Sequence, residues 1–158
     1  MKKLIIIFLS IWCPLCLSCS DGFVKLEIAH QSADVIFTGI AIEAKLIPHE
    51  NSLYQKAGPV EVTFLVKEIF KGKTKYNHIK IYTGMGGPDC GFEVSLLQQY
   101  VVAADRNGKD FYWTGISNGT QPWNSSIDKF LRSKYQPKTC EIKSFRRAIC
   151  KQPQQITP

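Results

Sequence analysis

Cysteine is the residue type with the greatest chemical potential in this chain of 158 residues. The segment Trp12-Cys13-Pro14-Leu15-Cys16 has the spacing of a thioredoxin-type redox pair. That chemistry needs the first cysteine at the start of a helix that follows a strand. Here the pair lies inside an apolar run near the N-terminus, so we predict no redox activity for it.

Other catalytic arrangements are not indicated. The three histidines, His30, His49 and His78, stand far apart in sequence and lack a metal-ligand spacing such as His-x-x-x-His. Gly84-Met85-Gly86-Gly87 lacks the Lys-Ser/Thr pair of a phosphate-binding loop. We therefore expect a binding protein and not an enzyme, with no cofactor of its own.

The N-terminus has the pattern of an export signal. Met1-Lys2-Lys3 precedes the apolar residues 4–17, a run too short for a membrane span of about 20 residues. We expect residues 1–18 to be a signal peptide that is removed before Cys19, because Cys16 and Ser18 are small enough for the signal-peptidase pocket. Leu17-Ser18-Cys19 is also an imperfect lipobox. The alternatives are thus a secreted protein and one anchored in the cell envelope through a lipid on Cys19.

Cys19 would then be the first residue of the mature chain. A free α-amine and the carbonyl oxygen of the same residue form a five-membered chelate, which suits a zinc ion with an open coordination position. The amine must be unacylated and neutral when it binds. A lipid on Cys19 would therefore exclude this chemistry.

Four cysteines remain after removal of the signal peptide: Cys19, Cys90, Cys140 and Cys150. An even number in an exported chain predicts two disulfides, for which three pairings are possible. The residues alone do not choose among them.

The mature chain stays basic, because the loss of Lys2 and Lys3 lowers the formal net charge of +7 only by two. We expect a solvated basic tail near the C-terminus, with anionic glycans or a membrane surface as further partners. Nucleic acid is not expected, because the aromatic residues of strands usually belong to the core and an exported protein seldom meets single strands. The charged residues of this tail are Lys138, Lys143, Arg146, Arg147 and Lys151.

Strand patterns dominate the middle of the chain. This pattern favours a mainly β fold, a five-stranded Greek-key barrel of the OB type, with an open sandwich as the alternative. Apolar or alternating runs predict the five strands at residues 34–46, 60–70, 79–82, 100–104 and 110–115.

Two short helices are expected to flank these strands. Residues 22–32 have helical spacing after Asp21 as a cap, and residues 125–135 have it after Ser125 or Ser126. We expect one domain at residues 19–151, followed by a flexible tail at residues 152–158 that is rich in proline and glutamine.

Four segments follow one another in a distinctive order: Ala33-Asp34-Val35-Ile36-Phe37-Thr38-Gly39, Val66-Lys67-Glu68-Ile69-Phe70-Lys71-Gly72, Asp89-Cys90-Gly91-Phe92 and Tyr100-Val101-Val102-Ala103. Together they resemble the inhibitory domain of the tissue inhibitors of metalloproteinases. Pro122-Trp123-Asn124-Ser125, followed by a helix and Thr139-Cys140, is similar to a segment of the animal members. The resemblance covers roughly residues 19–140 and implies a netrin-like OB fold, in a secreted protein that we expect to be a monomer.

The resemblance implies that the protein inhibits a zinc metalloendopeptidase. Cys19 would chelate the protease zinc through its α-amine and carbonyl, and Ser20 would point into the primary specificity pocket. The only metal involved would be the zinc of the target protease. We call the implied contact surface the inhibitory ridge; it consists of Cys19, Ser20, Asp21, Gly87, Pro88, Asp89 and Cys90.

A Cys19–Cys90 disulfide is also implied, because the separation of 71 residues is close to that of the family's first bridge. Cys140 lacks the partner that the family has near residue 31, so we expect Cys140–Cys150 as the second bridge. The family opens with Cys-x-Cys, whereas this chain would open with Cys19-Ser20-Asp21, and it has no cysteine in Ile116-Ser117-Asn118, where the family places the partner. The two absences correspond to the loss of one bridge. The alternative function is a netrin-like adhesion or envelope module without inhibitory activity, since a shared fold does not carry function.

Overall fold

The computed structural model describes residues 24–51, 58–74, 77–86, 89–107, 111–144 and 147–151, with those from residue 141 onward described by their backbone. The predicted signal peptide and flexible tail lie outside these residues. The described chain contains a short helix α1 (Leu26–Ala29), a longer helix α2 (Ser125–Lys134) and a 3-10 turn (Ile116–Asn118). Its strands are β1 (Val35–Leu46), β2 (Val60–Lys71), β3 (His78–Thr83), β4 (Gln99–Asn107), β5 (Phe111–Trp113), β6 (Gln121–Pro122), β7 (Lys138–Ser144) and β8 (Arg147–Lys151).

Five of these strands close into a barrel. Their order is β1-β2-β3-β5-β4, and β4 pairs back to β1. Only the β3–β5 pair of this circle is parallel, and the others are antiparallel. A five-stranded barrel with this connectivity is of the OB-fold type. The prediction of a mainly β, OB-type barrel with short flanking helices is therefore confirmed.

Strand β1 bends so that it can pair with β2 along its length and with β4 along its first half. Its register with β2 shifts at three places, between Ile36 and Phe37, between Thr38 and Gly39, and between Ala41 and Glu43. Such bulges bend a strand and increase its twist. The bend allows one strand to close the barrel from both sides.

Aromatic rings fill the barrel interior. Phe37, Phe64, Phe92 and Tyr100 are buried in one cluster. Their rings meet edge to face, with centroids 5.7 Å apart for Phe37 and Phe64, 6.1 Å for Phe64 and Tyr100, and 5.5 Å for Phe92 and Tyr100. This arrangement is the one that the ring quadrupoles favour. Phe92 follows the glycine-rich segment after β3, so the barrel core anchors that segment.

The two helices cover the outer face of β1 and β4. Val101 and Ala103 on β4 are fully buried against Leu26 of α1 and against Ile127 and Leu131 of α2. Strand β4 is thus buried on both faces. This explains why its sequence is a continuous apolar run instead of an alternating one.

Both helices differ from their predicted bounds. Helix α1 begins at Leu26. Val24 lies before the helix, and its backbone N–H donates to the carbonyl of Ile116. Helix α2 is capped by Asn124, whose side-chain oxygen accepts from the N–H of Ile127 at 3.0 Å, and not by Ser125 or Ser126. Asn is among the preferred N-cap residues.

Most of the basic residues near the C-terminus lie in paired strands. Strands β7 and β8 pair with each other, and β7 docks on β2 through the pairs Glu68 with Thr139 and Ile69 with Lys138. Strand β6, which pairs with β4, was not predicted, and β5 is shorter than residues 110–115. In short or lysine-rich strands the alternation of apolar and polar residues is weak, and such strands are stabilised by pairing with the barrel.

A buried carboxylate joins β2 to two neighbouring strands. Glu61 is 7% exposed, and its oxygens contact Lys45 at 2.9 Å, Lys80 at 3.0 Å and the hydroxyl of Tyr82 at 2.7 Å. Burial acts to raise the pKa of Glu61, but the contacts with Lys45, Tyr82 and Lys80 outweigh it and hold the pKa at about 2. Burial and the Glu61 contact raise the pKa of Tyr82 to about 12.

We expect Glu61→Gln to lower the free energy of unfolding at neutral pH by about 2 to 3 kcal/mol, because the folded pKa lies below the unfolded value. This contribution is fully present above the unfolded pKa of 4.5 and is lost as the pH falls towards about 2. Urea unfolding at several pH values measures it. The exposed Glu43, whose carboxylate accepts from Thr63 at 3.4 Å, provides the control Glu43→Gln, for which little change is expected. If the loss of unfolding free energy in Glu61→Gln is as large in acid as at neutral pH, the pKa of Glu61 is not lowered in the folded state.

Candidate functional site

The candidate site is the segment between β3 and the barrel core, residues 84–91, which we call the ridge loop. Asp89 and Cys90 of the inhibitory ridge lie in its described part. The other predicted ridge residues lie outside the described residues; they are Cys19, Ser20, Asp21, Gly87 and Pro88. Their place in the inhibitory ridge therefore stays a prediction. The described residues of the ridge loop and its neighbours define the candidate site.

Asp89 organises the ridge loop. Its Oδ2 accepts from the backbone N–H of Met85 at 2.6 Å, and its Oδ1 accepts from the N–H of Gly91 at 3.1 Å. The carboxylate also fills the space in front of Gly84, where a Cβ would lie 2.6 Å from it. One side chain therefore ties the start of the loop to its end.

Cys90 turns the chain back towards the barrel. Its φ is 56°, in the left-handed region that non-glycine residues seldom adopt. A Cβ on the following Gly91 would overlap the backbone of Gly84, so only glycine fits there. Beyond this turn the N–H of Phe92 donates to Thr83 Oγ1 at 2.8 Å in the buried interior. The loop is thereby closed at its base as well as across its middle.

The backbone links Cys90 to the N-terminal segment. The carbonyl of Cys90 accepts from the N–H of Ile116 at 3.1 Å, and the carbonyl of Ile116 accepts from the N–H of Val24 at 3.3 Å. Only glycine fits at position 115, because a Cβ there would lie 2.6 Å from the Cys90 carbonyl oxygen. Val24 comes five positions after Cys19, and an extended chain of five residue steps reaches up to about 17 Å. Residue 24 thus enters the fold within two hydrogen bonds of Cys90.

A shallow groove of about 360 Å³ adjoins the ridge loop. Ala44 and Val60 line it on the barrel side, and Gly84 and Met85 line it on the loop side. Met85 is 61% exposed, although it is a large apolar residue. An exposed apolar side chain next to a constrained loop is typical of a contact surface for another protein.

Cys90 and Cys140 are the two cysteines of the predicted disulfides whose side chains lie within the described residues. In the β7–β8 hairpin the backbone of Cys140 lies directly opposite that of Cys150. Residues opposed in an antiparallel pair have Cα atoms about 4.5 to 5.5 Å apart, which is within the range of a disulfide. This register is compatible with the predicted Cys140–Cys150 pairing, which stays a prediction together with Cys19–Cys90.

The histidines do not gather at the ridge loop. His30 lies beside α1, where its Nδ1 is 2.7 Å from the hydroxyl of Tyr135 and its ring meets that of Phe130 edge to face. Across residues 24–151, in the stretches that are described, no three His, Cys, Asp or Glu side chains are grouped so that they could hold a metal ion. The described helices include none long and apolar enough to cross a membrane.

The link through Ile116 is the feature that sequence reasoning missed. In the sequence, the segment Ile116-Ser117-Asn118 is notable only for its lack of a cysteine, and no local pattern indicates that its backbone links two other segments. The signal available was Gly115 and Gly119, which flank the 3-10 turn; Gly119 has a φ of 78° and lies against Leu26 of α1.

We expect Asp89→Ala to lower the free energy of unfolding by about 1 to 3 kcal/mol, because it leaves two backbone N–H groups without their acceptor. Thermal unfolding measures this. Asp89→Asn keeps one acceptor oxygen, so its loss should be about half as large. If Asp89→Ala is as stable as the wild type, the carboxylate does not hold the loop together.

The geometry of the site therefore consists of a constrained loop, an exposed methionine beside a groove and an N-terminal segment that enters next to Cys90. None of these features requires bound metal or substrate. No family model matches the chain, and no curated protein matches it either.

Proposed function

We propose that the chain is a secreted inhibitor-like protein that binds the active-site zinc of a metalloendopeptidase through the α-amine and carbonyl of Cys19. The observation that supports this most is the hydrogen-bonded link from Val24 through Ile116 to Cys90. It brings the start of the described chain to the ridge loop, as an inhibitor that presents two segments to one cleft requires. The OB-type barrel agrees with the resemblance to the metalloproteinase inhibitors.

In this proposal the two segments have different tasks. The neutral amine and the carbonyl of Cys19 occupy the open coordination position of the protease zinc, where the attacking water would otherwise bind. Ser20 enters the primary specificity pocket, and Asp21 follows it along the cleft. Gly87, Pro88 and Asp89 contact the other side of the cleft. The hydrogen bonds of Asp89 hold the ridge loop in shape before binding, which reduces the conformational entropy lost on association.

The proposal is tested by titrating an endopeptidase of the matrix metalloproteinase type with the mature chain. We expect loss of peptide cleavage at one-to-one stoichiometry. Intact mass of the chain purified from its exporting host must show a free amine on Cys19. A failure to inhibit a broad panel of such proteases, with the amine free, would refute the proposal.

A second candidate function rests on the Leu17-Ser18-Cys19 junction. If the mass shows a diacylglyceryl group and an acyl chain on Cys19, the amine is no longer available for zinc. The chain is then a lipid-anchored envelope module that keeps the barrel and inhibits nothing. The same mass measurement decides between the two candidates.

A further inference from the structure

A second groove lies at the other end of β2 from the ridge loop, and we call it the Trp123 groove. Its volume is about 390 Å³, within the range of small-molecule sites of about 300 to 1,000 Å³. It is framed by strands β1, β2 and β7, by the start of β4 and by helix α2. The polar and aromatic side chains that line it include Lys67, Glu68, Gln99, Trp123, Asp128 and Arg132.

Trp123 presents an aromatic surface at this groove. It is 40% exposed, and its backbone N–H donates to the carbonyl of Gln99 at 2.9 Å. Asn124, the next residue, is the N-cap of α2, so the backbone is held on both sides of the indole. A partly exposed ring on a held backbone can stack on a flat apolar face of a ligand, because only its side-chain torsions need to be ordered.

The polar side chains of the groove are balanced in charge and held in place. Arg132 donates from Nη2 to Glu68 Oε2 at 2.7 Å and from Nε to Asp128 Oδ2 at 2.8 Å. Lys67 Nζ donates to Gln99 Oε1 at 3.0 Å. Two cations and two carboxylates leave the groove without net charge, which disfavours a strongly anionic or cationic ligand.

These groups also keep hydrogen-bonding capacity. A guanidinium has five N–H donors, and each carboxylate has a second oxygen that can accept. The guanidinium of Arg132 lies 5.9 Å from the ring centre of Phe70, and this contact supports its orientation. Fixed donors and acceptors in a neutral groove match a ligand whose groups both donate and accept, as hydroxyls do.

We propose that the Trp123 groove binds a neutral oligosaccharide. One face of a pyranose ring, which carries C–H groups, stacks on Trp123, and its hydroxyls bond to Arg132, Glu68 and Gln99. Eight residues along β2 separate Val60, beside the ridge loop, from Glu68 in this groove, roughly 25 Å at the rise of a strand. The site is therefore independent of the proposed inhibition, and both can be occupied at once.

The experiment uses cellobiose and N,N′-diacetylchitobiose as neutral probes of the mature protein, with calorimetry and tryptophan fluorescence as readouts. We expect at least one of them to bind, and Trp123→Ala to weaken it about tenfold or more. Trp113→Phe, on β5 and away from the groove, is the matched control and should keep the affinity. NMR shift mapping on the wild type locates the site without any variant, at the Trp123 indole and the Gln99 amide.

Three results would overturn the proposal. One is the absence of binding by both sugars at about 10 mM. Another is shift changes that lie away from Trp123 and Gln99. The third is binding of a sulfated heparin disaccharide with no binding of the neutral sugars, which would point to a basic surface.

Discussion

Placing one alanine before Cys19 is expected to abolish inhibition, raising the inhibition constant by about 1,000-fold or more, which corresponds to roughly 4 kcal/mol. The extension moves the α-amine away from the zinc and replaces it with an amide nitrogen, which does not coordinate the metal. The barrel should be unaffected, because the first described contact of the chain is at Val24, five residues further on. Inhibition constants measured with a fluorogenic peptide, together with melting temperatures, test this.

Two matched variants show whether the effect is specific to the metal bond. Acetylation of the Cys19 amine should have the same effect as the extension, since it makes the nitrogen non-basic. Ser20→Gly should weaken inhibition only about tenfold, because it removes a pocket contact and leaves the chelate. If the extended chain inhibits as well as the wild type, zinc chelation by Cys19 is wrong.

Removing the predicted Cys19–Cys90 bridge should have the largest effect on stability. A bridge between residues 71 apart contributes about 4 kcal/mol in the chain-entropy model, so Cys90→Ser should lower the melting temperature by roughly 10 to 20 °C. The loss should be accompanied by weaker inhibition, because Cys90 also shapes the ridge loop through its left-handed backbone. Non-reducing peptide mapping identifies the bridge directly.

The hairpin bridge is the internal control for this experiment. Cys140 and Cys150 are only ten residues apart, so Cys150→Ser should remove about 3 kcal/mol and leave the ridge loop as it is. Inhibition by this variant should be unchanged at temperatures where it is folded. A peptide map in which Cys90 is joined to Cys140 would contradict both assignments.

The barrel strands could be predicted from the sequence because the pattern of apolar and polar residues along each strand reflects which of its faces are buried. Val62 and Phe64 alternate with the polar Glu61 and Thr63 on β2, and the apolar run of β4 matches a strand with both faces buried. The hairpin β7–β8 could not be predicted in this way, because its residues include many lysines and arginines and its position depends on pairing with β2. The cap of α2 was missed by one residue for a similar reason: Asn124, Ser125 and Ser126 are all good caps, and the packing of Ile127 and Leu131 chooses among them.

The sequence by itself determined the five barrel strands, the type of barrel and the residues of the ridge loop that form a tight turn, since periodicity and glycine positions act through neighbouring residues. Only the tertiary structure decided how β1 closes the barrel with β2 and β4, and how Val24 meets Cys90 through Ile116. It also decided that Glu68, Trp123 and Arg132 share one groove. These contacts join residues that are distant in the chain, and their free energy comes from barrel closure and burial. No local pattern of residues encodes that free energy.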